Sequence, residues 1–296
     1  MECILLGTGG MMPLPHRLLC SLAVRLNGLI YLFDAGEGAQ LGWKKARLGM
    51  RGFRLLAVSH LHADHCLGIP GLMMLKAQID NSEPLTILGP PGLEEFILRN
   101  QELLEFYTNY ELAYEDEQVR IFWHPLLHTR FCLGYRLEEL ERPGKFNPEQ
   151  AAALGVAQGP LGGKLQKGEP VASENGRLIS PGQVMGRPRR GRHLAYVVDT
   201  RTTKNIYTLC KDVDLAFMEG MFLPEHADHA EAKGHLTVTE AARIARRAGV
   251  ARAVFIHISP RYDQAQLSQL ESAAKDRFDR VQVGKDLDTF TIPLKD

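Results

Sequence analysis

Over the first third of the chain, short apolar runs alternate with stretches whose apolar residues recur at helical spacing. Residues 3–6 form an apolar run ending in the turn Gly7-Thr8-Gly9-Gly10. Residues 22–26 and 29–33 flank Asn27-Gly28, a dipeptide that tolerates the positive φ angles of a tight hairpin, so the two runs read as paired strands. Residues 39–48 have helical spacing, 55–59 read as a buried strand, and 67–78 are again helical. Strands at 85–88 and 119–123 around a helix at 93–104 continue the alternation.

Residues 142–192 are rich in glycine and proline, with weak periodicity, and read as an extended insertion. Beyond it, strands return at 194–198 and 213–218, followed by a capped helix at 237–248. A strand at 253–256, a helix at 264–278 and strands at 281–283 and 289–292 close the pattern. Two α/β halves around an insertion predict sheets packed face to face with helices outside. No period of about 20–50 residues repeats, which argues against a solenoid or propeller.

With 296 residues, 45% of them hydrophobic, the chain can bury a large core without disulfides. Nothing approaches the ~18 consecutive apolar residues of a membrane span. Met1-Glu2-Cys3-Ile4-Leu5-Leu6 lacks a basic leader and a cleavage site, so no secretion is expected. Cys3, Cys20, Cys66, Cys132 and Cys210 are widely spaced, with no Cys-x-x-Cys pair. They fit reduced thiols in the cytoplasm rather than a disulfide framework or zinc knuckle.

Basic and acidic residues number 35 each, yet they are segregated. Residues 175–198 hold five arginines and no carboxylate, as do residues 241–262, whereas residues 94–117 hold eight acidic residues against Arg99. A neutral protein patterned this way can present a basic face to phosphate backbones, although any single run can also be plain solvated surface.

The strongest chemical signal is His60-Leu61-His62-Ala63-Asp64-His65, directly after an apolar strand. Residues two apart in extended chain share a face, so His60 and His62 can reach one metal, while Asp64 and His65 point elsewhere once the chain turns. Imidazoles and a carboxylate at this density suit Zn²⁺, with Mn²⁺ or Fe as substitutes. Completing such sites needs donors from afar. His128, Asp199 and His257 each stand beside a strand, where α/β proteins gather their chemistry.

In that order, these residues resemble the ligand set of the metallo-β-lactamase superfamily, an α/β fold built as an αββα sandwich. His257-Ile258-Ser259-Pro260-Arg261-Tyr262 resembles the signature of the ribonuclease Z family within it. Phe33-Asp34-Ala35-Gly36-Glu37-Gly38 and Gly234-His235-Leu236-Thr237, with Glu219 as partner of the histidine, are similar to further motifs of that family. Gly155-Val156-Ala157-Gln158-Gly159-Pro160, then Gly163-Lys164-Leu165, resembles the motif on its protruding arm. The sequence departs from the family at 13–19, which lacks an Arg-Asn pair, at Val198 in place of glycine, and at Leu236 in place of serine.

The resemblance implies a single domain over 1–296 with a tRNA-gripping arm at about 142–170. It implies two zinc ions per subunit: His60, His62 and His128 on one, Asp64, His65 and His257 on the other, Asp199 bridging. Asp34 would orient a ligand imidazole, Asp64 the attacking water, and His235 with Glu219 would supply the general acid. Arg261, Gly159, Pro160 and Lys164 would contact substrate. The implied activity is removal of the 3′ trailer from precursor tRNA by a homodimeric endoribonuclease, leaving a tRNA 3′-hydroxyl. The alternative is a small-molecule phosphodiesterase or other hydrolase of the superfamily. His226-Ala227-Asp228-His229 repeats the tetrapeptide 62–65 but lacks a leading histidine, and is read as surface. No Gly-x-Ser-x-Gly occurs to support a serine hydrolase.

Overall fold

A computed structural model of the chain describes residues 1–79, 83–108, 110, 112–113 and 119–295. Of the acidic run at 94–117, Glu111, Glu115, Asp116 and Glu117 lie outside the described residues. Contacts divide the chain into two compact units. The first comprises Met1–Glu138 and His193–Pro293, and the second Glu139–Arg192 with the tail from Leu294.

The first unit opens with strands β1 (Glu2–Gly7), β2 (Ser21–Leu26) and β3 (Leu29–Phe33), then helix α1 (Ala39–Lys45) and strand β4 (Phe53–Ala57). Helices α2 (Ala63–Cys66) and α3 (Ile69–Ala77), strand β5 (Leu85–Leu88), helix α4 (Leu93–Leu103) and strand β6 (Leu112–Ala113) follow. Strands β7 (Val119–Leu126) and β8 (Cys132–Glu139) lead to the second unit, which holds α5 (Pro148–Ala153), α6 (Pro160–Gln166), β9 (Val171–Ala172) and β10 (Leu178–Ile179). Back in the first unit come β11 (His193–Val197), α7 (Lys204–Cys210), β12 (Leu215–Glu219), α8 (Ala227–Lys233) and α9 (Val238–Arg247). The chain closes with β13 (Ala253–Ile256), α10 (Leu267–Lys275), β14 (Val281–Val283) and β15 (Thr289–Thr291).

Two sheets result, in the orders β15-β1-β2-β3-β4-β5-β6 and β14-β13-β12-β11-β8-β7. The central strands are covered on both faces and are apolar, while the edge strand β7 is partly exposed. Along β11, Leu194, Tyr196 and Val198 join Phe33, Leu55 and Phe217 in the core between the sheets. Ala195 and Val197 face the other way, against Ile206 of α7, Ala241 of α9 and Leu270 of α10. On the far side, Leu32 and Leu56 pack against Trp43 of α1, Ile69 and Leu72 of α3 and Ile97 of α4. These four layers are the αββα sandwich expected of the metallo-β-lactamase fold.

Local signals read from the sequence recur here. Asn27 and Gly28 have φ of 50° and 85°, as a two-residue hairpin between antiparallel β2 and β3 requires. Thr237 and Glu240 form the capping box that starts α9. Strand β7 continues past 123 through Pro125, which an edge strand accommodates because that position needs no ladder donor. Helix α7 lacked a sequence signal: it is short, and tertiary burial of Ile206, Leu209 and Cys210 stabilises it more than propensity does.

The second unit is more ordered than its glycine-rich sequence implies. Ala151, Val156, Leu165, Val171, Ile179 and Val184 form a small core of its own. Each comes from a different turn or short element, so no single period registers. Glu139 and Arg192 stand where the chain enters and leaves this unit. Glu139 accepts from Arg192 Nε and Nη2 at 2.7 Å each, and from the Arg192 N–H at 3.0 Å. All five cysteines are free and buried. Among the described residues, no helix is long and apolar enough to cross a membrane.

Glu139→Gln should therefore cost about 2 kcal/mol of the unit's stability, the worth of a hydrogen-bonded charge pair. Limited proteolysis within 142–192 would read this out. Burial alone would raise the Glu139 pKa, but the Arg192 guanidinium outweighs it and holds the pKa below the usual value. The contribution should thus be complete above about pH 4.3 and be lost as pH falls through the lower folded-state pKa. Equal cleavage rates for variant and parent would refute the clamp.

Candidate metal centre

Parallel strands bring the chemistry to one edge. β4 delivers the chain to Ser59 and fully buried His60, while His62, still extended, precedes α2, whose short turn carries Asp64 and His65. The second sheet contributes Asp199 after β11, Glu219 at the end of β12 and His257 after β13, three neighbouring parallel strands. Asp34 after β3, Asp199 and His257 all have positive φ, at 56°, 50° and 57°. Each strand thus ends in a sharp left-handed step that turns its side chain into the site.

Besides an overlapping group of Asp199, His235 and His257, two groups of donors form. His60, His62, His128 and Asp199 make one, and Asp64, His65 and His257 the other, with the ligand atoms of each group lying within 4.8 Å of one another. Asp199 stands between them. Its Oδ2 is 3.5 Å from both His60 Nε2 and His128 Nε2. Its Oδ1 is 3.3 Å from His65 Nε2 and 3.2 Å from His257 Nε2.

Hydrogen bonds behind the imidazoles set which nitrogen faces the cluster. Asp34 accepts from the Ser59 N–H (2.6 Å), the Ser59 hydroxyl (2.8 Å), the Tyr196 hydroxyl (2.8 Å) and His65 Nδ1 (2.7 Å). With its proton on Asp34, Ser59 Oγ accepts from His60 Nδ1 at 3.0 Å. His128 Nδ1 donates to the Gly234 carbonyl at 3.1 Å. In the neutral rings of His60 and His128, Nε2 is left as a lone-pair donor to the cluster.

The neutral forms of His60, His62 and His128 match a cation site. Burial holds His60 in its neutral form, lowering its pKa to about 2, and likewise lowers His62 and His128. Burial opposes charge on His65, but Asp199 and Asp34 outweigh it and push its pKa up. Asp64 and Asp199 are depressed: burial would raise them, and His257 and His65 overcome it. Among the described residues, no arginine or lysine pairs with Asp34, Asp64 or Asp199. His60 Nε2 and His62 Nδ1 lie only 2.8 Å apart, close enough to share a proton or to hold a cation between them. Two ligands on a tetrahedral Zn²⁺, with Zn–N near 2.1 Å, stand roughly 3.4 Å apart. Separations of 2.8 to 3.5 Å around the first group fit that donor set.

A pocket of about 420 Å³ opens over this cluster, lined among others by His62, Asp64, Asp199, Lys233, His235 and His257. His235 Nδ1 is 3.1 Å from Glu219 Oε2. Glu219 is fully buried and also accepts from the backbone N–H groups of Leu236 and Thr200. Burial works against charge on His235, yet Glu219 raises its pKa above the ordinary value.

The Beta-lactamase superfamily domain model matches residues 30–258. Over 97% of this chain and 96% of its own length, Ribonuclease Z of Treponema denticola is 43% identical. The chain belongs to the ribonuclease Z family. Ribonuclease Z of Methanosarcina mazei is 38% identical over 100% of this chain and 99% of that one. Among solved structures, human tRNase Z, short form, superposes with a TM-score of 0.72 at 22% identity, covering 99% of this chain and 100% of that one. That likeness bears on the fold.

Within this ribonuclease Z family chain, the seven expected ligands, Asp34, Glu219 and His235 converge. Arg261 is exposed, its guanidinium 5.2 Å above the Phe222 ring. Gly159, Pro160 and Lys164 belong to the second unit, at the start and on the exposed side of α6. The 226–229 repeat stays out of both groups, and His226 Nδ1 bonds the Tyr262 hydroxyl at 2.7 Å.

Several contributors were not singled out from sequence. Ser59 adjoins the histidine motif and was legible by position, but Tyr196 is one aromatic in an apolar strand. Gly10 belongs to the glycine turn after β1; a Cβ there would lie 2.6 Å from His257 Nε2. The next residue, Met11, donates its N–H to Asp64 Oδ2 at 2.6 Å. Arg17, inside the departing stretch, is buried and donates to the carbonyls of Ser259 and Tyr262, pinning the loop after His257.

Asp34→Asn should lower divalent-metal affinity about 10- to 100-fold, the usual effect of losing a partner behind a ligand. Competition with a chromophoric chelator would measure it, and wild-type affinity in a folded variant would contradict the role given to Asp34.

Proposed function

We propose that this chain is a zinc-dependent endoribonuclease that removes the 3′ trailer of precursor tRNA, leaving a 3′-hydroxyl on the tRNA. The observation that carries the reading is a buried carboxylate, Asp199, facing two separate donor groups, beside a second histidine–carboxylate pair in the same pocket. Two zinc ions are assigned, one to His60, His62 and His128, one to Asp64, His65 and His257, with Asp199 shared. When bound, such ions make water acidic enough to attack near neutral pH and neutralise charge gathering on phosphoryl oxygens.

The chain's own residues supply the rest. Asp64, its carboxylate fixed by the Met11 N–H, orients the attacking water. The water oxygen bonds to phosphorus and gives up a proton to solvent, and the bond from phosphorus to the ribose 3′-oxygen breaks in line. The departing oxygen takes a proton from His235, which Glu219 keeps in its imidazolium form. Asp34 holds His65, and through Ser59 also His60, at fixed tautomers. Arg261 is placed to pair with phosphate. The second unit, with Gly159, Pro160 and Lys164, is assigned the gripping of tRNA. The enzyme is proposed to work as a homodimer in the cytoplasm, where its five free thiols stay reduced.

Purified protein should cut a 3′-extended precursor tRNA at the tRNA boundary, and a chelator should abolish the cut. Metal-loaded protein that leaves this RNA intact while hydrolysing small diesters would replace the reading with a small-molecule phosphodiesterase. His235→Ala should keep its metal, by elemental analysis, yet lose about 10²- to 10⁴-fold in kcat, the range for a general acid. Unchanged turnover would remove His235 from that role.

A further inference from the structure

Helix α9 leaves the metal pocket directly: His235 lines the pocket, Thr237 caps the helix, and Val238–Arg247 carries the chain onward. Val238, Ala241, Ala242, Ile244 and Ala245 are buried, so Arg243, Arg246 and Arg247 face solvent. These three stand at i, i+3 and i+4, side by side on one face. Among the described residues, none of them is paired with a carboxylate.

The one acid of α9 is already engaged. Glu240 accepts from the Thr237 N–H at 2.8 Å and pairs with Arg201 at 3.2 Å. Helix α7, which packs beside α9, adds Lys204 and no acidic residue. Among the helices covering the other sheet, α4 is opposite in character, exposing Glu94, Glu95 and Glu102 with Arg99 bound between Glu95 and Glu102, while α1 carries Lys44 and Lys45. A helix dipole explains basic residues in the last turn, but not Arg243, nor three like charges at spacings where they repel.

We infer that the arginine stripe of α9 docks backbone phosphates of the RNA whose scissile bond lies in the pocket. The inference rests on the reading of the chain as a tRNA-cleaving enzyme and adds a surface of the first unit to it. From Val238 to Arg247 the helix advances about 14 Å, enough to follow several phosphates of a strand leaving the pocket. Guanidinium groups free of carboxylates are the donors that phosphate oxygens recognise, in paired geometry and without regard to base.

The test compares the wild-type protein with R243Q/R246Q/R247Q and with R243K/R246K/R247K, by binding of 3′-extended precursor tRNA across salt concentrations. The glutamine variant should bind about 10-fold weaker at about 0.15 M salt, with a salt slope shallower by roughly 2. The lysine variant should recover most of the affinity. Turnover at saturating RNA, hydrolysis of bis(p-nitrophenyl) phosphate and melting temperature should stay at wild-type values. A folded glutamine variant with wild-type affinity and slope overturns the inference alone. Wild-type protein that fails to bind precursor tRNA overturns the functional reading and the inference together.

Discussion

Three buried carboxylates without arginine or lysine partners, Asp34, Asp64 and Asp199, constrain everything around them. An isolated carboxylate in such a place is held only if donors surround it. Asp34 takes four donors and Asp64 takes the Met11 N–H and His257, whereas Asp199, ringed by four imidazoles, keeps Oδ1 without a hydrogen-bond partner, as a carboxylate awaiting a cation would. Meeting that demand forces the ends of β3, β4, β11 and β13 to one place and excludes a side chain at residue 10. It also accounts for the left-handed steps at Asp34, Asp199 and His257. Such conformations cost about 1–3 kcal/mol each where sterics disfavour them, and Asp and His are among the non-glycine residues that accept them most readily.

The two sheets play different parts. The first contributes the cluster 60–65 and Asp34; the second contributes Asp199, Glu219 and His257 from adjacent parallel strands. Because the donor groups mix residues from both, the spacing of the sheets sets the spacing of the ligands. Two tyrosines of the second sheet pin that spacing beneath the site. The Tyr135 hydroxyl donates to the Val58 carbonyl at 2.6 Å, and the Tyr196 hydroxyl to Asp34 at 2.8 Å. Their rings lie 5.9 Å and 5.5 Å from Phe33, between the layers. Core packing and ligand geometry are therefore one problem at this edge, since moving Tyr196 moves Asp34 and with it His65.

How much was legible in the sequence follows from the range of each interaction. Hairpin and capping signals are local, and Asn27-Gly28 and Thr237–Glu240 appeared where the residues implied. The cluster 60–65 was visible because its donors are contiguous. The convergence of His128, Asp199 and His257 on it rested on resemblance, since spacing says nothing about which strand ends meet. Tyr196 and Gly10 act across the fold, one through a single hydroxyl and the other by having no side chain; neither leaves a local pattern. The second unit escaped because its core takes one residue from each of several short turns.

The zero net charge is the least informative number about this protein. Summed over the chain it suggests indifference to a polyanion, yet individual helices differ sharply in charge. Helix α4 outside the first sheet is acidic although α1 beside it carries Lys44 and Lys45, and helix α9 outside the second is basic. Attraction between exposed charges falls off over about 8–10 Å at physiological salt, so a phosphate strand near the pocket responds to the layer it touches and little to the opposite one. A protein that must release a large anionic product gains from this arrangement, because local attraction holds the substrate in register without a global positive charge that would trap every nucleic acid in the cell.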